Sequence, residues 1–172
     1  MQTIARFLDS HMIFVRRLIK TIIISLFAIQ VLVVFSQVIW RFVFNNPFSW
    51  SEELARYLQV WLILLTASVC IRKGRHLAVD FATHMLPFRI NKILKLITMV
   101  CIMGFTWILI IFSVQMILIT IHQITPAMRV PILVVYLAFP VAGIFMFMES
   151  LIVFLKLAGV KDKAGFDAIY DG

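Results

Sequence analysis

The amino-acid sequence predicts an all-α integral membrane protein with four transmembrane helices, amphipathic interfacial segments and both termini cytoplasmic. Three observations carry this expectation. Hydrophobic types make up 63% of the 172 residues, and the mean hydropathy is +1.04. Only 14% of residues are Asp, Glu, Lys or Arg, against about a quarter in a soluble domain. Four stretches each approach the roughly 20 apolar residues that a helix needs to cross about 30 Å of hydrocarbon. The runs are apolar on all faces, not alternating, which disfavours transmembrane strands.

Residues 1–20 read as an amphipathic helix in the headgroup layer. Ile4, Leu8, Met12, Val15 and Ile19 recur at helical spacing, with Arg6, Asp9, Arg16, Arg17 and Lys20 on the other side of the wheel. His11 falls on the apolar side and reads as a packed or interfacial residue. The first span is expected over 21–44, uncleaved, because it starts late and no small-residue cleavage pattern follows it. The second covers 50–71, with Arg56 near its start. Residues 72–95 mix six cations with Leu77, Val79, Phe81, Met85, Leu86 and Phe88. That mixture suits a cytoplasmic surface connection touching anionic headgroups. The third span, 96–121, carries no charge, and the fourth, 130–155, carries only Glu149. Glu149 lies about two turns from Lys156 and reads as hydrated by snorkelling at the cytoplasmic edge. Residues 156–172 form a cytoplasmic tail, and no linker or repeat divides the chain.

Orientation follows from the cations. Of 16 Lys and Arg, all but Arg41, Arg56 and Arg129 sit in the N-terminal segment, the 72–95 connection or the tail. Those three segments share one side, and the positive-inside rule makes it cytoplasmic. The net charge of +8 is therefore a topology signal and not a nucleic-acid footprint, which would need a basic face on a polar surface. Cys70 and Cys101 fall toward the same reducing side and read as packing residues, not a disulfide.

Polar residues within the spans repeat at intervals of seven. Gln30 and Gln37 share a face of the first helix, Gln59 and Thr66 of the second, and Thr106, Ser113 and Thr120 of the third. Such stripes suit helix packing, while Ser and Thr also bond back to their own helix carbonyls. Gln30, Gln37 and Thr106 are thereby candidates for a subunit interface. No ionisable or carbonyl ligand set of the kind an ion path needs stands near mid-membrane.

The sequence holds no HExxH, GxSxG or Walker-type loop, so no enzymatic activity and no cofactor is expected. His76, Asp80 and His84 are spaced four and four, and on a continuous helix they would offer a metal-binding face. Gly74 before them and Pro87 after them leave little secure helix, and a polar surface explains them equally well. Haem wants axial histidines inside a bundle, whereas His11, His76, His84 and His122 all lie in flanking segments.

The outer connection between the first two spans is the richest stretch. Asn45-Asn46-Pro47 breaks the first helix, and Ser49 with Glu52 forms a capping box for the second. Trp40, Trp50 and Tyr57 make an interfacial aromatic belt. Glu52 and Arg56 are an i, i+4 pair in the favourable order, and Arg41 is within reach of Glu53 across the turn. These four charges act either as a clamp between helices and partner or as exposed docking charges. Their balance of sign and aromatic neighbours favour the clamp.

The run RFVFNNPFSWSEELARYLQVW resembles the signature of the small membrane subunit of tripartite ATP-independent periplasmic (TRAP) transporters. The similarity continues in GRHLAVDFATHMLPFRINK, through Gly74, His76, Val79, Asp80, Leu86, Pro87 and Arg89. It recurs in TPAMRVPILVVYLAFPVAG, through Pro126, Arg129, Pro131, Tyr136 and Pro140. Because His84 is not part of the family motif, the resemblance weakens the metal reading. It implies a bacterial inner-membrane transport system for carboxylated solutes of the sialic acid or C4-dicarboxylate type. In such a system a soluble periplasmic protein captures substrate, and a large membrane subunit moves it by a sodium-driven elevator motion. The small subunit, here a separate polypeptide, would be a fixed scaffold in an obligate heterodimer, with membrane lipids around it and no nucleic-acid partner. Gly74, His76, Asp80 and Arg89 would form its cytoplasmic surface motif. Asn45, Asn46, Ser49 and Arg129 would be outer-face candidates for docking the periplasmic protein. The rival readings are a membrane-anchor subunit of a respiratory enzyme, holding quinone or haem, and a small channel with Glu149 facing its pore.

Overall fold

A computed structural model describes residues 2–45, 48–72 and 88–159. Its elements are α1 (Gln2–Phe42), α2 (Ser49–Arg72), α3 (Phe88–Thr120), a short α4 (Leu133–Tyr136) and α5 (Ala138–Gly159). Four segments are long and apolar enough to cross a membrane: Met12–Phe42, Ser49–Arg72, Ile90–Thr120 and Leu133–Gly159. Among the described residues the sole β feature is a bridge between Ile124 and Pro131. The described residues are all-α with four helices able to span a membrane, as predicted.

The expected division of the N-terminal region into an interfacial helix over 1–20 and a span over 21–44 is not what forms. α1 is one helix of 41 residues. No Gly or Pro occurs before Pro47, so once nucleated the helix meets nothing that stops it. At 1.5 Å per residue it is about 60 Å long, roughly twice the hydrocarbon thickness. α3 likewise begins at Phe88, so residues 88–95, expected in the surface connection, are its first two turns. The last span is interrupted at Leu137. Pro140 has no N–H to give the carbonyl of Tyr136, which weakens the ladder there.

α5 is the axis of the bundle. Its buried residues include Ala138, Ala142, Gly143, Met146, Ser150, Val153 and Leu157, a wide face against which α2 and α3 pack. Small side chains let the backbones approach, which is how helices gain dispersion contact when lipid is as apolar as the protein. The approach is closest at Gly143, where a Cβ would stand 2.8 Å from Ile110 Cγ1 and 3.1 Å from Leu109 Cδ2. α1 is the outermost helix. Its inward stripe runs Val15, Arg16, Ile19, Ile23, Leu26, Gln30, Val33 and Gln37, yet of its described side chains only Ile19 is fully buried. Ile19 joins Leu65 of α2 and Ala142 of α5 in one apolar cluster, and Met99, Val153 and Leu157 form a second. Cys70 and Cys101, expected as packing residues, are free and exposed.

Candidate functional site

The polar groups that hold the fold gather at its two ends. At one end α1 closes with Arg41 in its last turn, a favourable place for a cation on the helix dipole. Asn45 then takes φ 52°, a left-handed conformation that Asn tolerates better than most residues. Trp40 contacts Phe44 and Phe48 at centroid distances of 4.5 and 4.6 Å, and Phe48 contacts Trp50 at 5.6 Å. This chain of rings joins Trp40 and Trp50 of the expected belt through Phe48 and leaves Tyr57 out.

Ser49 is the first residue of α2 and not the cap before it. The preceding position belongs to Phe48, whose carbonyl accepts from the Ser51 hydroxyl at 2.7 Å and the Ser51 amide at 3.3 Å. The Ser51 amide is thus met by a backbone carbonyl, and the hydroxyl of buried Ser51 donates to the same oxygen.

Within the chain the four outer charges do not pair as one network. Glu52 and Arg56 pair at 3.4 Å with about 70% of each side chain exposed, where such a pair contributes little. Arg41 does not reach Glu53. It is exposed and lies over the Phe42 ring at 5.9 Å. Glu53 instead accepts from the Tyr57 hydroxyl at 3.0 Å and from the Met128 backbone N–H at 2.8 Å. The Tyr57 hydroxyl also lies close to the Thr125 side chain. Buried Thr125 in turn accepts the Val130 N–H at 3.1 Å on its hydroxyl oxygen. Further along the same face of α2, Trp61 Nε1 donates to the Val134 carbonyl at 3.1 Å. Glu53 therefore fastens the α3–α4 connection to α2 and Trp61 fastens α4, with Tyr57 between them bonded to Glu53, the three spaced four and four. Sequence reasoning placed Tyr57 only in the aromatic belt and gave Trp61 no role. The signal that could have found them is that spacing of three polar-tipped side chains along one helix.

The connection they hold is itself ordered. Thr125 N–H donates to the Val130 carbonyl at 3.0 Å, Arg129 N–H to the Thr125 carbonyl at 3.1 Å and Ile132 N–H to the Gln123 carbonyl at 3.1 Å. Arg129 takes φ 54° at the tip and is exposed, as are Asn45 and Ser49. The Glu53 bond brings the α1–α2 and α3–α4 connections to the same end of the bundle. Asn46, Gly74, His76 and Asp80 lie outside the described residues, as does the side chain of Arg89.

At the other end Arg16 Nε donates to Glu149 Oε1 at 2.6 Å and Arg16 Nη2 to Oε2 at 2.8 Å. The two side chains are 10% and 6% exposed. Two expectations are overturned here. Arg16 does not face headgroups on the polar side of a surface helix, and Glu149 is not hydrated by snorkelling. A buried carboxylate is stabilised by meeting a guanidinium in two-pronged geometry.

Gln30, Gln37 and Thr106 do not lie on an outward face. Both glutamines are half-buried on the inward stripe of α1, and Thr106 is fully buried. The Thr106 hydroxyl donates to the carbonyls of Ile102 at 2.9 Å and Met103 at 3.0 Å, Ser113 to Ile110 at 2.8 Å and Thr120 to Met116 at 2.7 Å. The stripe is both a packing surface and self-bonded, but the surface it packs on belongs to this chain. An apolar groove of about 270 Å³ opens beside it, lined by Phe105, Ile108, Phe112, Met116, Tyr136 and Phe139 among others. Among the described residues no three His, Cys, Asp or Glu gather as a metal site.

The sequence profile of the DctQ component of tripartite ATP-independent periplasmic transporters matches residues 30–159. A sialic acid TRAP transporter permease protein, SiaT, of Haemophilus influenzae is 38% identical over 89 residues, covering 49% of this chain and 14% of that protein. A putative TRAP transporter small permease protein of Haemophilus influenzae is 29% identical over 131 residues, covering 76% of this chain and 81% of its own length. A C4-dicarboxylate TRAP transporter small permease protein, DctQ, of Vibrio cholerae is 30% identical over 82 residues, covering 48% of this chain and 35% of that protein. The chain thus spans only a small part of the first relative and most of the second.

Proposed function

The chain belongs to the DctQ-component family of TRAP transporters and is a small permease subunit, not an enzyme, and from that premise we propose that it serves a sodium-driven importer of a carboxylated solute. The observation that carries the reading is the family match over residues 30–159 of a four-span, multi-pass inner-membrane protein. Sialic acid and C4-dicarboxylates, both carboxylates, appear in the names of two relatives, which supports that substrate class.

In this reading the subunit pairs with a large membrane subunit that carries the sodium and substrate sites, and it acts as the fixed scaffold beside the moving elevator. Its internal chemistry is consistent with that role. Glu53 at one end of the bundle and the Arg16–Glu149 pair at the other are engaged in fastening, and hydroxyls in the third span bond back to their own helix. The N and C termini face the cytoplasm, as the distribution of cations supports. The end that bears Asn45, Ser49 and Arg129 then faces the periplasm and meets the soluble binding protein.

Reconstitution tests this reading. The chain should co-purify with a large permease subunit from its native membrane. Liposomes holding both subunits, supplied with the binding protein and a sodium gradient, should accumulate the carboxylate, while this subunit alone should accumulate none. Uptake by this subunit alone, or co-purification with a respiratory dehydrogenase in place of a permease, would refute it.

A further inference from the structure

The Arg16–Glu149 pair stands apart from the outer network, and nothing in a scaffold role requires a buried charge at that place. α1 has thin apolar attachment, with Ile19 its one fully buried described side chain. Its inward stripe repeats aliphatic residues (Val15, Ile19, Ile23, Leu26) at helical spacing. Sliding the helix by one turn, about 5.4 Å, would therefore replace one aliphatic with another, and lipid fills what is vacated at little cost. Arg16 is the one charged member of the stripe, and the residue one turn on, Lys20, is a point charge that lacks the guanidinium's two-pronged fork. Arg16 lies four positions inside Met12, where the apolar span starts, about 6 Å along the axis. Its long side chain could also be satisfied by withdrawing to the headgroups. Two seats thus compete for the guanidinium, and the carboxylate of Glu149 selects one of them through two bonds of 2.6 and 2.8 Å. A two-pronged bond fixes rotation as well as depth.

We propose that Arg16 and Glu149 form a register lock that sets the depth and rotation of the first span against the last. The lock specifies position more than it adds stability, as a buried polar group does when it selects one register among near-equivalent apolar ones. Cross-linking in membranes from cells producing the full chain tests it. In a Cys70→Ser, Cys101→Ser background, Ile19→Cys with Ala142→Cys reports the native register, and Ile23→Cys with Ala142→Cys reports a shift of one turn.

The native chain should cross-link in favour of Ile19. Glu149→Gln should lower the ratio of the two products by roughly a hundredfold or more, the scale on which breaking a buried pair acts, and the swap Arg16→Glu, Glu149→Arg should restore most of it. Arg16→Leu with Glu149→Leu leaves no unpaired charge and should fold even if Glu149→Gln does not. In that variant melting should be retained while both registers appear. A native ratio in Glu149→Gln, or a single native register in the double-leucine variant, would overturn the lock.

Discussion

Replacing Glu53 by Ala isolates the fastening of the outer connection. The carboxylate accepts two bonds, one from the Tyr57 hydroxyl at 3.0 Å and one from the Met128 N–H at 2.8 Å. A hydrogen bond to a charged group contributes about 1.5–3 kcal/mol. Glu53 is half-buried, so water replaces part of what is lost and the lower end applies. For the Met128 amide that is about 1.5 kcal/mol, equivalent to roughly tenfold in a local opening equilibrium. Hydrogen exchange resolved at single amides is the assay. Met128 should exchange about tenfold faster in Glu53→Ala. Val130 and Ile132, whose amides bond within the connection, should change less. Glu53→Gln should fall between, because an amide oxygen still accepts one bond without the charge. Unchanged exchange at Met128 in Glu53→Ala would refute the assignment of Glu53 as the fastener.

Arg41→Ala should shift stability by less than about 0.5 kcal/mol in thermal or denaturant unfolding, because Arg41 is exposed and touches only the Phe42 ring. Gly143→Ala should destabilise by about 1–3 kcal/mol, the usual cost of overpacking, since the new methyl meets Ile110 Cγ1 at 2.8 Å; equal melting of the two proteins would show that α3 moves aside freely. Thr106→Leu should lower the melting temperature of the isolated subunit, because Thr106 is fully buried within it. Weakened pairing with the large subunit at unchanged melting would return Thr106 to the subunit seam.

The four spans were legible because hydropathy accumulates over some 20 residues, so no single side chain decides it. The N-terminal region was harder. Helical periodicity shows that Ile4, Leu8, Met12, Val15 and Ile19 share a face, but the same wheel describes a helix on the surface and one passing through it. What separates them is where Arg16 finds its counter-charge, and Glu149 is 133 residues away. Glu53 posed the same difficulty. Its i, i+4 partner Tyr57 was within local view, while its second donor is a backbone amide 75 residues on. A backbone N–H has no signature in sequence, and Arg41, the nearest cation, looked the better partner. The stripes of seven on α1 and α3 were read correctly as shared faces, whereas on α2 Gln59 is exposed and Thr66 half-buried. Spacing along one helix, however, does not tell whether the neighbour on that face is another helix of this chain or of a partner.

Arg16 has two electrostatic identities, separated in time. At about 5–20 residues per second of synthesis, Glu149 leaves the ribosome roughly 7 to 27 s after Arg16. Until then, in the proposed orientation, Arg16 stands with Arg17 and Lys20 as part of the cationic flank that retains the N-terminus on the cytoplasmic side. Once the last span has entered, the same guanidinium is neutralised against a carboxylate and withdrawn from the surface. The field that orients the nascent chain is therefore stronger at that flank than the field of the finished subunit. A topology experiment on chains truncated before residue 149 should accordingly find the first span held more firmly in its orientation than the charge distribution of the mature fold accounts for.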